Sequence, residues 1–328
     1  MAESNNRSDR NEQRRLRKER GAVQEAAAQA QEAKEARERR QQTIIGAIVV
    51  AVVVVLIAVV GVVIYRNTHP DNSGQSQSAS ASYAALQKVA NTPPGANDRG
   101  GFLISKHGYN KRVENAPTVA EYFDPLCPGC AALNRQVDPT LKTLVDAGQI
   151  NLELHPMSFM DQLSTDEYSS RVSGSIAYIA SHDDNPDHLI AYMEAIYAED
   201  FQPKEGTTNY QPVSDAKLKA QALKAGVPTA IVDKAFGRQY QKWLDAVNDY
   251  TPKRPELWNT EGSNKGAMTT PTVTINGKAL NMVQIAQLGI SLKSAVLQSL
   301  GLAESAVGSQ GAMPSIGAAG KPLAPKAS

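Results

Sequence analysis

The sequence predicts an α/β domain with a helical insertion, preceded by one N-terminal transmembrane helix. Three observations support this prediction. Residues 44–65 form one continuous apolar segment. The strand-like segment Thr118–Phe123 passes into a helical one at the only two cysteines of the chain, Cys127 and Cys130. About 90 residues with helical periodicity then precede a second strand signal at Thr272–Ile275, and such alternation is typical of a sheet covered by helices.

The N-terminal segment, residues 1–43, is rich in charged side chains. Residues 1–42 hold 11 Lys/Arg and 8 Asp/Glu of the chain's 34 and 33, which leaves the remainder with a net charge of −2. That charge gives no electrostatic case for nucleic acid binding. The composition of the segment predicts a solvated cytoplasmic tail, and the alternative is contact with anionic lipid headgroups or with a cytoplasmic partner.

The apolar segment at residues 44–65 consists mainly of Ile, Val, Ala and Leu. As a helix it would span about 33 Å, enough to cross the hydrocarbon core of a bilayer. Arg37, Arg39 and Arg40 lie just before it, so the positive-inside rule places the N-terminus in the cytoplasm. We therefore expect a single-pass signal-anchor in the cell membrane and an extracytoplasmic domain. A cleaved signal peptide is the alternative, although the segments before and within this span are too long for one.

Composition divides the rest of the chain into three parts. Residues 66–96 are rich in Ser, Gln, Asn and Ala and predict a flexible extracytoplasmic linker that ends in a short helix at 83–90. Residues 97–302 form the predicted domain, with the helical insertion at about 161–256. Residues 303–328 are mostly Ala, Gly, Ser and Pro, which predicts a disordered tail.

The insertion has apolar residues at helical spacing and two residues typical of helix N-caps, Asn185 and Ser214. Its large aromatic side chains are predicted to pack in the core and not to form a peptide-binding surface. These are Tyr168, Tyr192, Tyr197 and Trp243.

The Cys127/Cys130 pair has the C-x-x-C spacing of a redox dithiol. A zinc site, a structural disulfide and inert thiols are the alternatives. Zinc would need two further ligands, and the five histidines show no finger or ribbon spacing, so no metal and no cofactor is predicted. His155 ends the predicted strand Ile150–His155, and we assign it a hydrogen-bonding role and not a catalytic one.

The position of the pair favours reactivity at its first cysteine. Asp124 and Pro125 end the predicted strand, and helical residues follow Cys127. The unpaired N–H groups at a helix N-terminus favour a thiolate over a thiol, and Pro128 suits the first helical turn. Cys130 lies on the same helical face and can resolve a mixed disulfide.

A second motif follows about 140 residues later. Pro271 heads a predicted strand that ends at the hairpin signal Asn276-Gly277. Residues 278–282 are predicted to return as the last strand. Residues 291–300 are predicted to form the closing helix, which Gly301 terminates.

Three stretches, Phe123–Cys130, Thr270–Val273 and Asn276–Lys278, together resemble the DsbA-like branch of the thioredoxin-fold thiol-disulfide oxidoreductases. The resemblance covers about residues 101–302 and implies a thioredoxin-like fold that carries the insertion.

The same resemblance implies roles for individual residues. Cys127 would be the exposed nucleophile and Cys130 the resolving thiol, with Pro128-Gly129 as the active-site dipeptide. Thr270-Pro271 would form a cis-proline loop that faces the disulfide and pairs with the substrate backbone.

The function that the resemblance implies is an oxidase that introduces disulfides into exported proteins. A quinone-linked membrane partner of the DsbB or VKOR type would reoxidise it. Two alternatives remain. The first is a reductase or isomerase of the same fold, because strongly oxidising members carry His where this chain has Gly129. The second is a non-catalytic peptide-binding scaffold at the cell envelope.

Overall fold

A computed structural model describes residues 78–206, 208 and 210–327. Its six strands are β1 Phe102–Ser105, β2 Gly108–Tyr109, β3 Thr118–Phe123, β4 Asn151–Pro156, β5 Thr272–Ile275 and β6 Lys278–Ala279. They form one sheet in the order β2-β1-β4-β3-β5-β6, in which β3 and β4 are parallel and the other neighbours antiparallel.

Nine α-helices accompany the sheet in this part of the chain. They are α1 Ala79–Leu86, α2 Pro128–Asp146, α3 Tyr168–His182, α4 Pro186–Ile196, α5 Asp215–Lys224, α6 Thr229–Ala235, α7 Gln241–Tyr250, α8 Met282–Leu288 and α9 Leu292–Leu300. The predicted α/β fold is confirmed. Helices α3 to α7 lie between β4 and β5, where the insertion was expected.

Helix α2 is positioned by one apolar face. Leu133, Val137, Leu141 and Leu144 recur every three or four residues and are all buried. They belong to the same core as Val119 of the central strand β3. Burying each such side chain contributes about 1.5–3 kcal/mol, so this face fixes the helix, and the cysteines at its start, against the sheet.

The insertion is built as its sequence pattern predicts. The side chains of Asn185 and Ser214 accept hydrogen bonds from backbone N–H groups in the first turns of α4 and α5. The predicted core aromatics are all buried: Tyr168, Tyr192, Tyr197 and Trp243.

The chain after β5 differs from the prediction. The last strand covers only Lys278–Ala279, and Asn281, expected inside it, instead caps the unpredicted helix α8 by accepting from Gln284 N–H. An Asn side chain that caps a helix competes with strand continuation at the same position. The closing helix and the left-handed Gly301 after it are as predicted.

The N-terminal predictions fall largely outside the described residues. This holds for the cytoplasmic tail, for the transmembrane helix at 44–65 and for the first part of the linker. Among residues 78–206, 208 and 210–327, no helix has the length and apolarity needed to cross a membrane. The linker was expected to run to residue 96, but α1 already packs on the domain: Leu86 is buried, and the Tyr83 ring lies 5.2 Å from that of Tyr250.

The predicted disorder of the C-terminal tail is wrong for residues 303–327, whose backbone is hydrogen-bonded to the rest of the domain. Two side-chain amides make most of the side-chain bonds to it. Gln149, which is fully buried, donates to the carbonyls of Ala306 (2.8 Å) and Ala312 (2.6 Å) and accepts from Gly308 N–H (2.9 Å). Asn276 donates to two further tail carbonyls. Buried amides need such partners, and the tail backbone supplies them.

We expect Gln149→Ala to lower the free energy of unfolding by about 2–4 kcal/mol, because three hydrogen bonds worth about 1 kcal/mol each are lost inside the protein. Urea unfolding of the full-length chain measures this. Gln298→Ala is the control: it removes a half-buried amide that accepts from Lys326 N–H at the surface, and it should cost less than about 1 kcal/mol. Equal losses would mean that Gln149 does not hold the tail.

Candidate active site

The redox pair lies at the start of α2, just beyond the C-terminal end of β3. Cys127 is the N-cap residue, Pro128 occupies the first helical position, and Cys130 lies in the first turn. Both cysteines are free thiols, and each is only 1% exposed. The expectation of an exposed Cys127 is therefore wrong, and a substrate sulfur cannot reach it without a movement of the surrounding structure.

The loop before β5 faces Cys127. The Thr270-Pro271 peptide bond is cis, as the resemblance implies. Pairing of Thr272 with Tyr122 holds the loop beside the end of β3. The Cys127 thiol donates to the Thr270 carbonyl at 3.4 Å, which brings together two motifs that lie 143 residues apart.

The surroundings of Cys130 disfavour its thiolate form. Burial raises its pKa well above the ordinary value, and a hydrogen bond to Cys127 adds to this rise. The backbone N–H of Asp124 donates to the Cys130 sulfur at 3.4 Å. Cys130 is therefore held as a thiol, which disfavours it as an attacking sulfur. Gly129, between them, is buried and adds no side chain to the site.

Asp124 is a central residue of the site that sequence reasoning treated only as a strand breaker. Its carboxylate accepts from Leu126 N–H (2.9 Å), Met160 N–H (3.0 Å) and the Ser169 hydroxyl (2.5 Å). Complete burial raises its pKa to about 7, although these hydrogen bonds act in the opposite direction. Residues 124–127, called here the redox loop, lead from β3 into α2. Asp124 joins this loop to the chain after β4 and to helix α3.

A buried carboxyl pair lies between β3 and α2. Glu121 and Asp138 interact electrostatically in the interior, where Glu121 Oε1 and Asp138 Oδ1 are buried without a donor, and Asn134 donates to Asp138. Burial raises the pKa of Glu121 well above its usual range, an effect that Asp138 increases, and burial raises the pKa of Asp138 to about 6. Two neighbouring buried carboxyls thus favour sharing a proton over carrying two charges. A charged residue inside the apolar strand Thr118–Phe123 was the sequence signal that could have found it.

Two residues of the insertion contact the redox loop, and no motif marked either for this role. The Tyr197 hydroxyl donates to the Asp124 carbonyl at 3.1 Å. The Gln202 side-chain amide donates to the carbonyls of Pro125 and Cys127 at 3.0 and 3.2 Å. The insertion therefore forms part of the site and is not a separate module.

His155 lies in the sheet and makes structural contacts. It is buried, its Nε2 lies 2.7 Å from Glu153, and its ring stacks on Tyr122 at 4.1 Å. Burial lowers its pKa, so it is neutral at pH 7. Within the described part of the chain no group of three or more His, Cys, Asp or Glu side chains could hold a metal ion.

A family model described as thioredoxin matches residues 113–293, which is more than half of the chain. The chain belongs to the thioredoxin family. The matched range contains Cys127, Cys130, the helical insertion and Pro271. The thioredoxin-like fold that the sequence predicts is thereby confirmed.

Similar proteins come from several bacteria. Reduced DsbA from Mycobacterium tuberculosis is 23% identical with a TM-score of 0.44, and the match covers 57% of this chain and 91% of that one. MdbA, a thiol-disulfide oxidoreductase from Actinomyces oris, is 20% identical with a TM-score of 0.45, covering 65% and 92%. Serine/threonine-protein kinase PknE of M. tuberculosis is 29% identical over 118 residues, 35% of this chain. The chain spans about a fifth of the length of this curated relative.

Proposed function

We propose that the chain is a DsbA-like protein thiol-disulfide oxidoreductase that introduces disulfides into exported proteins. One observation carries the proposal: the thiol of Cys127, at the N-cap of a 19-residue helix, faces the carbonyl of Thr270 before the cis-proline. A helix N-terminus stabilises the thiolate that exchange requires, and the extended backbone at the proline can pair with a substrate chain.

The oxidised form reacts in two exchange steps. A substrate thiolate attacks the sulfur of Cys127, the Cys127–Cys130 bond breaks, and Cys130 leaves with the electron pair. The raised pKa of Cys130 means that this leaving sulfur takes up a proton. A second substrate thiolate then attacks the substrate sulfur of the mixed disulfide, which forms the substrate disulfide and releases Cys127 as a thiolate. Two electrons have passed from the substrate to the cysteine pair.

The location and the partner are parts of the same proposal. The apolar segment 44–65 anchors the chain in the cell membrane, and the arginines before it keep the N-terminus in the cytoplasm. The domain then works where disulfides persist. Its reduced pair passes two electrons to a quinone-linked membrane protein of the DsbB or VKOR type.

A reductase or isomerase is the second candidate, and Gly129 is the observation that favours it. Strongly oxidising relatives carry His at this position, where a side chain can stabilise the thiolate. Without one, the reduced pair is less stabilised and the disulfide is a weaker oxidant.

The reduction potential of the Cys127/Cys130 pair tests the proposal. We expect a value between about −120 and −180 mV for the full-length chain in detergent micelles, equilibrated with glutathione buffers. Gly129→His is the matched variant and should shift the potential to a less negative value. A value near about −270 mV would favour the reductase, and thiols that never pair would refute both candidates.

A further inference from the structure

Cys127 has to be reached by a sulfur atom of another protein, yet it is only 1% exposed. Thiol-disulfide exchange is a direct attack of one sulfur on another, so its rate depends on access. Reactive cysteines accordingly lie in partly exposed positions. Some segment next to Cys127 must therefore move before the pair can react.

One segment that contacts the backbone on either side of Leu126 and at Cys127 itself is a turn of the insertion at residues 198–203, called here the covering turn. Its Gln202 is the residue whose side-chain amide bonds the carbonyls of Pro125 and Cys127. Inside the turn, the N–H groups of Phe201 and Gln202 both donate to the Ala198 carbonyl, which holds it as a compact unit. Gln202 thus connects the turn to the redox loop.

One end of the covering turn is anchored to the core, and one side of the turn borders an open cavity. It begins after Tyr197, which is buried and bonded to the Asp124 carbonyl, so this end does not move easily. On another side it borders a cavity of about 670 Å³, which Gln211, Pro212, Val213 and Lys217 line together with residues 200–204. To move into this space, the turn has to loosen the contact of the partly buried Phe201 with the core and the exposed Glu199–Arg135 ion pair (3.7 Å).

We propose that Gln202 is a positioning residue that latches the covering turn over Cys127, and that an incoming substrate chain displaces it. The proposal rests on the proposed oxidoreductase function. One amide–carbonyl hydrogen bond shifts an equilibrium by about two- to tenfold, so two of them keep the turn closed and still allow exchange. When Gln202 leaves, the carbonyl of Pro125 becomes free to accept from a backbone N–H of the substrate.

Alkylation of the reduced full-length chain by iodoacetamide measures the latch. We expect Gln202→Ala to raise the alkylation rate of Cys127 about tenfold. Tandem mass spectrometry of the peptide that contains both cysteines measures the label at each sulfur separately. Gln202→Glu, which keeps the length of the side chain but has no donor, should react as fast as the alanine variant. Gln211→Ala is the matched control, because Gln211 lines the same cavity and makes no described hydrogen bond to the redox loop.

The alkylation rate of Cys130 is the second readout. It distinguishes a local opening of the covering turn from a general loosening of the domain. Cys130 should stay as slow to alkylate in Gln202→Ala as in the parent, since Cys130 is buried and the hydrogen bonds of Gln202 go to the carbonyls of Pro125 and Cys127. An unchanged rate at Cys127, or equal gains at both cysteines, would overturn the proposal. Alkylation requires no turnover, so a chain without oxidoreductase activity would contradict the proposed function and still give a readable result for the latch.

Discussion

Cys130→Ser is expected to abolish turnover and to leave the chain covalently attached to disulfide-containing proteins through Cys127. The Cys127 thiolate can still attack a substrate disulfide and form a mixed disulfide. Release then depends on external thiols alone, because the internal resolving thiol in the first turn of α2 is gone. Well-placed intramolecular groups act at effective molarities of about 10⁵ M or more, so we expect release to slow by at least about a thousandfold.

The trapped complex can be measured directly. The full-length variant is incubated with insulin and run on a non-reducing gel, where a band that dithiothreitol removes reports the mixed disulfide. Cys127→Ser is the matched control and should form little complex, since burial keeps the remaining Cys130 protonated. Equal trapping by both variants would contradict the assignment of Cys127 as nucleophile. Failure of both to trap would favour the scaffold hypothesis.

Helix α2 and the cysteines at its start could be predicted from the sequence because the signals that specify them are local. A strand signal, a proline after the first cysteine and a helical run all lie within about 30 residues, and the helix N-terminus supplies its own electrostatics. The surroundings of the pair could not be predicted in the same way. Asp124 owes its role to Met160 and Ser169, which lie 36 and 45 residues further along the chain, and no local pattern announces such contacts.

The C-terminal tail shows a different limit. Its Ala, Gly, Ser and Pro content predicts disorder because such residues bury little apolar surface. Its backbone carbonyls accept from Gln149 and Asn276, both of which belong to other parts of the fold, and these bonds help to order it. Composition describes side chains and carries no information about which backbone groups a buried amide requires.

Asp124 is expected to make the folded domain less stable as the pH rises from about 4 to about 7. Its pKa is raised from 3.8 to about 7 by burial, so the folded state binds a proton that the unfolded state has already released in this range. Stability falls with rising pH wherever the folded state holds more protons. The full cost is present above pH 7, absent below about pH 4, and amounts to about 4 kcal/mol at most.

Asp124→Asn should remove this contribution. Near pH 4.5 the variant is expected to be less stable than the parent by about 1–3 kcal/mol, because its amide nitrogen replaces one acceptor and leaves a buried N–H of Leu126 or Met160 unpaired. Near pH 8 the difference should vanish or reverse, since the parent then carries a buried charge. Urea unfolding of the full-length chain at both pH values measures the two differences.

The comparison isolates Asp124 from the other buried groups. Glu121 and Asp138, whose pKa values are also raised, and His155, whose pKa is lowered, remain in both proteins and cancel in the difference. Asp184→Asn, at an exposed position, controls for the loss of one carboxylate and should leave the pH profile unchanged. A constant difference between parent and Asp124→Asn would mean that Asp124 is ionised throughout. Its charge would then face Cys130 at every pH and raise the pKa of that thiol even in acid.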